Sequence, residues 1–403
     1  MWAVVLALFF LQTSDPVTDG QKALQDGKYD AAVQAFSQAI TADPKDYFSH
    51  FNLALAYGYL HRDADGVAEY RKTLELKPGL YEAELNAGRL LTRDKQPADA
   101  LPLLEAAAGQ KPTEFEPLFY LAQAELDTGA LDRAAESFGK ALAANPKSGD
   151  SQLGLARALA RQDKLADAAP HFRQASELDP AHRNALLELA GLYEKNNQPA
   201  DAIAIYREFP GNATAQEHLG QLLLETKQYA DGVSRLEAAY AKEPTAANRN
   251  LLAQAYLLNR QPDKAVPLLA QSVAEDPASF DLRMSYGRAL RDMRLFPAAV
   301  DQFQEAAKLK PKDAMTWSEL AAARYMTGDV NQTLADLDRA RELGEDTAGN
   351  WFFRAIILDK AEQLKPALEA YQRFLSMSHG ENPNQEFQAR QRSRIIQLKL
   401  EKK

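Results

Sequence analysis

Residues 131–180 read LDRAAESFGKALAANPKSGDSQLGLARALARQDKLADAAPHFRQASELDP. The stretch states one pattern twice. Ala134, Phe138 and Pro146 return as Ala168, Phe172 and Pro180, each at the same spacing of 34. A small and a large residue four apart share one helix face. The small one lets a neighbouring helix approach, and the large one fills the space beyond it. The proline cannot continue a helix and closes the phrase.

The pattern extends outward in both directions. Pro44, Pro78 and Pro112 precede at the same spacing, and Pro244, Pro277 and Pro311 follow at 33 and 34. The small position holds Ala32, Gly66, Ala100, Gly232, Ala265 and Ala299, and the large one Phe36, Tyr70, Leu104, Leu236, Leu269 and Phe303. The first half of each unit keeps phase too, as Leu53-Ala54, Leu121-Ala122, Leu189-Ala190 and Leu252-Ala253. Each unit therefore carries two amphipathic helices of about 12 to 14 residues. Turns stand between them, as at Asp26-Gly27-Lys28 and Thr128-Gly129. Gln96-Pro97, Gln198-Pro199 and Gln261-Pro262 place proline at a first helical position, where its missing N–H costs no bond.

Period, small-residue phase, aromatic phase and closing proline together resemble the tetratricopeptide repeat family. The resemblance covers residues 13–379 in about eleven repeats, starting near Thr13, Tyr47, Tyr81, Phe115, Gly149, Arg183, Ala213, Ala246, Phe280, Ala314 and Ala348. It implies an all-α fold, a right-handed superhelical solenoid of antiparallel helix pairs. One pair cannot bury its apolar face alone, so neighbours stack into a continuous core. The sixth repeat runs only from Arg183 to Asn212 and is shorter than its neighbours, which predicts a second helix one turn short. The tenth has Thr333 at the small position, and the eleventh runs out at Met377 to Gly380.

The organisation expected is an apolar segment at 1–14, the solenoid at 15–379 and a basic capping helix at 380–403. In that helix Phe387, Ile395, Ile396, Leu398 and Leu400 stand among charges, and residues 384–403 carry a net charge of +4. The charge suits a solvated cap whose cations favour a helix C-terminus, or a docking patch for an acidic partner or membrane surface.

Trp2 to Leu11 is a run of ten uncharged apolar residues. It is too short to span a bilayer, which takes about 20, and it fits the core of a secretory signal. No Lys or Arg precedes it, and no small-x-small motif follows. The alternative is an apolar first helix packed on the repeat behind it. The first reading places the protein outside the cytoplasm, in a bacterial periplasm or envelope, and the second leaves it cytoplasmic.

Composition narrows the function. The chain has 403 residues, a net charge of −9 and no cysteine. The acidic balance argues against nucleic acid or an anionic membrane as the main partner. Disulfides, thiolate metal sites and cysteine nucleophiles are excluded. Gly149-Asp150-Ser151 with Asp179 and His182 imitates the signature blocks of GDS-type esterases, but both blocks are in phase with non-catalytic units. None of the six histidines forms a metal-binding pair at i, i+4, and there is no P-loop. No catalytic residue, metal or cofactor is expected.

In the tetratricopeptide family, ligands contact the first helix of each pair at repeat positions 2, 5, 9, 12 and 13. Carried over by position, the resemblance selects Phe48, Phe51 and Tyr59 in the second repeat. It selects Arg89 and Arg93 in the third, Phe119 and Asp127 in the fourth, and Arg157 and Arg161 in the fifth. The ninth adds Arg288 and Arg291. Four arginines over three repeats suit carboxylates, which guanidinium groups bind bidentately. The competing reading pairs them with nearby Glu or Asp. The clamp used by chaperone-binding members is incomplete, with Val17, Gln21 and Glu82 where it needs Lys or Asn. The expected protein is a non-enzymatic scaffold that binds proteins or peptides, with acidic or C-terminal carboxylate segments as ligands. Its expected setting is bacterial envelope assembly or secretion, and a membrane would enter only through an uncleaved N-terminal segment. Alternatives are a substrate-recruiting subunit of a separate enzyme of glycosyltransferase type, or a cytosolic adaptor.

Overall fold

The structure, a computed structural model, describes residues 15–401. Trp2 to Leu11, and with it the export reading, lies outside the described residues. Among the described residues there are 23 α-helices and no strand. Twenty-two form eleven consecutive pairs and one follows them. Among the described residues no helix is long and apolar enough to cross a membrane.

Packing divides the described residues into two compact bodies, parted between Ile205 and Tyr206. The division falls in the sixth repeat. The first body pairs α1 (Pro16–Gln25) with α2 (Tyr29–Ala42), α3 (Tyr47–Tyr59) with α4 (Asp63–Leu76), and α5 (Tyr81–Arg93) with α6 (Pro97–Gln110). It continues with α7 (Phe115–Thr128) and α8 (Leu131–Ala144), then α9 (Gly149–Arg161) and α10 (Leu165–Leu178). A 3-10 turn at Pro180–Asn184 leads into α11 (Ala185–Lys195), and α12 (Pro199–Tyr206) follows with only 8 residues. The truncation read from the sequence is this helix.

The second body holds α13 (Ala213–Glu225) with α14 (Tyr229–Lys242), α15 (Ala246–Leu258) with α16 (Pro262–Glu275), and α17 (Phe280–Asp292) with α18 (Phe296–Leu309). Then come α19 (Ala314–Thr327) with α20 (Val330–Glu342), α21 (Ala348–Lys360) with α22 (Leu364–Met377), and α23 (Pro383–Glu401) against α22.

The small and large positions found in the sequence form the core. Ala32, Ala100, Ala134, Ala168, Ala265 and Ala299 are fully buried, as are Phe36, Leu104, Phe138, Phe172, Leu236 and Phe303. The fit is close: a Cβ built on Gly154 would lie 2.2 Å from the Phe138 ring, nearer than real atoms approach. Thr333 fills the small position of the tenth repeat because its hydroxyl donates to the Asp329 carbonyl at 2.7 Å.

The turn inside every repeat contains one residue with positive φ. Gly27, Gly129 and Gly328 fill it in three repeats, and His61, Lys95, Asp163, Asn197, Lys227, Arg260, Arg294 and Glu362 fill it in the other eight. The eleven left-handed positions count the repeats independently of the prolines. A non-glycine residue there costs about 1 kcal/mol, which each turn recovers by closing the carbonyls of the preceding helix.

The last helix, α23, follows the eleventh repeat. It packs on the eleventh repeat through Ala389, Ser393 and Ile396, with Leu400 alongside. Phe387 is 63% exposed, Ile395 40% and Leu398 51%. They lie on the side of the helix turned away from the eleventh repeat.

Candidate protein-binding groove

The site lies in the first body, on the first helices of the second to fifth repeats. A cleft of about 550 Å³ is lined by Gly58 and Tyr59 of α3, Tyr70 of α4, Arg89 and Arg93 of α5, and Tyr120, Gln123 and Asp127 of α7. A second, of about 960 Å³, is lined among others by Phe119, Gln123, Asp127, Arg157, Arg161 and Glu188. Gln123 and Asp127 border both, so the two clefts form one strip. The four arginines singled out by repeat position all lie along it.

Their partners differ, and the repeat phase explains how. Arg93 and Arg161 both stand at position 13. Arg93 donates to the Gly58 carbonyl at 2.8 Å, and Arg161 to the Leu126 carbonyl at 2.8 Å. Those carbonyls lie in the last turn of the first helix of the preceding repeat, where each also accepts a turn N–H, from His61 and Gly129 respectively. Each arginine is thus a bolt between neighbouring repeats. Arg93 also donates from Nε to Asp63 at 2.7 Å, and a second contact to Asp63 makes the pair bidentate. The hydrogen bond to Asp63 raises the Arg93 pKa above the ordinary guanidinium value.

Arg89 and Arg157 both stand at position 9. Arg157 donates to Glu188 on the next repeat at 2.8 and 3.0 Å. In the second body Arg288, again at position 9, donates to Glu319 at 2.9 Å, and Arg291 reaches the same carboxylate. For Arg157 and Arg288 the acid lies 31 residues downstream. At the same offset from Arg89 stands Tyr120. Arg89 makes no ion pair or hydrogen bond among the described residues. It is half-buried and near Tyr70, whose hydroxyl burial drives well above the ordinary phenol range and the guanidinium pulls back.

Of the four, Arg93, Arg157 and Arg161 have partners within the fold, while Arg89 has no ion pair or hydrogen bond among the described residues. The second cleft also carries Asp127, Asp150, Asp163 and Glu188 against Arg157, Arg161 and Lys195. Its charge does not favour an acidic ligand.

The aromatic candidates divide as well. Tyr59 is 53% exposed and stacks on Tyr29 with ring centroids 4.6 Å apart. Phe119 lines the second cleft and meets Phe138 edge-on. Phe48 and Phe51 line neither. Phe51 meets Tyr70 edge-on at 5.5 Å and packs into the core. Phe48 is half-buried, and its carbonyl accepts from Asn52 at 2.8 Å. Gly58, Tyr70, Tyr120 and Gln123 line the first cleft without having been selected. Tyr70 reads as core from its repeat position. The signal for Tyr120 is that it stands, relative to Arg89, where the other position-9 arginines have their acid.

The esterase-like block is structural. Ser151 is fully buried, and its hydroxyl meets that of Ser148, the α9 cap, at 3.0 Å. His182 Nε2 lies 3.0 Å from Asp150 rather than on the serine.

A family profile described as "Tetratricopeptide repeat" matches residues 19–81, 85–149, 119–180, 153–217, 218–280 and 250–314. A tetratricopeptide repeat and J domain-containing co-chaperone of Fusarium oxysporum is 32% identical over 126 residues, 31% of this chain and 24% of that protein. Hsp70-Hsp90 organizing protein 1 of Glycine max is 26% identical over 219 residues, 51% of this chain and 37% of that protein. The similarity thus spans well under half the length of either relative. A solved structure of MamA from Desulfovibrio magneticus RS-1 aligns with a TM-score of 0.39 and 24% identity, over 41% of this chain and 94% of that one. Repeat period, paired helices and profile agree: the chain belongs to the tetratricopeptide repeat family.

Proposed function

We propose that this protein is a scaffold that binds an extended segment of another protein along the strip of the first body. The observation that carries the reading is the strip itself: two adjoining clefts on rigid helices, with exposed Tyr59 and unpaired Arg89 in the first. A preorganised surface spends little entropy on binding, and aromatic side chains supply contact area. Export to a bacterial envelope, suggested by Trp2 to Leu11, is the setting we favour. N-terminal sequencing of the natural protein gives a terminus near Asp15 if the segment is a cleaved signal, and an intact one if it is not.

A cytosolic adaptor is the second reading, favoured by the co-chaperone and Hsp70-Hsp90 organizing relatives. Against it, Asn52 and Asn86 bond to their own helix carbonyls, and Val17, Gln21 and Glu82 replace the clamp cations and amide. A recruiting subunit of a separate enzyme would use the same strip and would co-purify with that enzyme.

The test is site-specific photocrosslinking in the source cells. A benzophenone side chain at Tyr120 is expected to capture a discrete protein, while one at Glu136, exposed on α8, captures none. Adducts at Glu136 alone, or the same adducts at both, would move the binding surface off the strip.

A further inference from the structure

The Arg89 cleft has a counterpart at the eleventh repeat. Asp359 stands at position 12 of that repeat and Tyr371 at position 24; Gly58 and Tyr70 stand at the same positions of the second repeat. At the eleventh repeat, the Asp359 carboxylate accepts from the Tyr371 hydroxyl at 3.2 Å. It also accepts from Arg392 of α23, through Nε and Nη2, at 2.7 Å each. A carboxylate joins a buried phenol to a guanidinium.

At the second repeat the phenol and guanidinium are present, and glycine stands where the acid would be. Tyr70 is 1% exposed, lines the cleft and makes no hydrogen bond among the described residues. Arg89 lines the same cleft, equally unpartnered. Both groups open on the cleft, and at the eleventh repeat the equivalent hydroxyl is held by a carboxylate that also takes a guanidinium.

We infer that the Arg89 cleft binds the side-chain carboxylate of an Asp or Glu in an extended segment of a partner protein, seated between the Tyr70 hydroxyl and Arg89. The inference rests on the strip being a protein-binding surface. Charge supports the occupant: among the described residues Asp63 neutralises Arg93, Asp127 of the same cleft accepts from Gln123 rather than from an arginine, and Arg89 has no ion pair. Continuity supports a side chain over a chain terminus, because Gln123 and Asp127 carry the strip on into the second cleft. Tyr59 and Tyr120 flank the position and offer surface to the residues beside the acid.

The probe is a displayed library of random dodecapeptides, panned on the full chain. The variants are Arg89→Gln, Tyr70→Phe, Gly58→Asp and Gly58→Asn. Gly58→Asp installs the acid that the eleventh repeat already has; a Cβ there meets Leu90 at 3.4 Å, an ordinary contact. Gly58→Asn matches its shape without its charge. Enriched peptides are expected to share an acidic residue. Their affinity should fall about tenfold or more with Arg89→Gln and Gly58→Asp, and several-fold with Tyr70→Phe. It should hold with Gly58→Asn and with an amidated peptide C-terminus. Thermal melts of the two Gly58 variants should agree, which separates charge from misfolding.

Enriched peptides without an acid, or indifferent to Gly58→Asp, would overturn the proposal and leave the strip intact as a binding surface. Loss on amidation would overturn it in favour of a chain terminus. A library that enriches nothing on the wild-type chain would sink the underlying protein-binding reading as well.

Discussion

Arg89 and Arg157 occupy the same position of their repeats, on the same face of equivalent helices, yet only one is available. Arg157 is tied to Glu188 on the next repeat, and Arg288 repeats the tie through Glu319. At that register from Arg89 stands Tyr120 instead. The lesson is that repeat phase selects which side chains reach the groove, while the residue at one fixed offset on the next repeat decides which stay free. Tyr70 and Tyr371 differ in the same way: one hydroxyl has its carboxylate and the other does not.

These contrasts can be broken at graded cost. The largest loss is expected from Asp359→Ala, which strands Tyr371 and Arg392 together. The second body should lose about 2 kcal/mol, because a buried partner left unpaired costs more than its bond was worth. Urea denaturation followed by near-UV circular dichroism would measure it. The same carboxylate gives a pH signature. Bonding to Arg392, opposed by burial, holds its pKa below the unfolded value of 3.8. Its stabilisation is therefore complete above about pH 4 to 5 and is lost as pH falls below 3.8 through the folded value. Asp359→Asn should flatten that acid limb in melts run from pH 6 to pH 3; an unchanged limb would mean the pair contributes nothing.

Arg161→Ala removes a bolt between repeats and should cost about 1 kcal/mol, the worth of a typical hydrogen bond. Arg157→Ala breaks an exposed pair and should cost about 0.5 kcal/mol, falling further in high salt. Chemical denaturation in low and high salt would rank the two. Arg89→Gln should leave stability almost unchanged, since no internal hydrogen bond or ion pair is lost. Tyr120→Glu sharpens the comparison by supplying the absent acid. It should convert Arg89 into a stacking arginine, leave the melt unchanged within about 0.5 kcal/mol, and abolish binding of acidic peptides. Retained binding would contradict the assignment of Arg89 as the free cation.

The fold was legible because every repeat must solve the same packing problem. A small residue at Ala134 and a large one at Phe138 recur since each stack needs both. Pro146 recurs since each second helix must end. The short sixth repeat was legible for the same reason, its missing residues being missing helix. The site was legible in part. Position on the first helix placed Arg89, Arg93, Arg157 and Arg161 along the strip, but the partners of the last three lie on the neighbouring repeat, and no local pattern names them. Phe51 was misplaced because an aromatic on the binding face can turn inward when a core tyrosine offers its ring. The last helix was legible as a helix, but its amphipathic pattern cannot say how much of its apolar face the eleventh repeat covers. Ile396 found the core, while Phe387 and Leu398 remained outside.

The most direct test of the central claim is hydrogen–deuterium exchange on the full chain with and without a library-enriched acidic peptide. Protection is expected in α3, α5 and α7, strongest around Gly58 and Arg89, and it should disappear in the Gly58→Asp variant. Protection confined to the second body, or to the second helices of the repeats, would contradict the account.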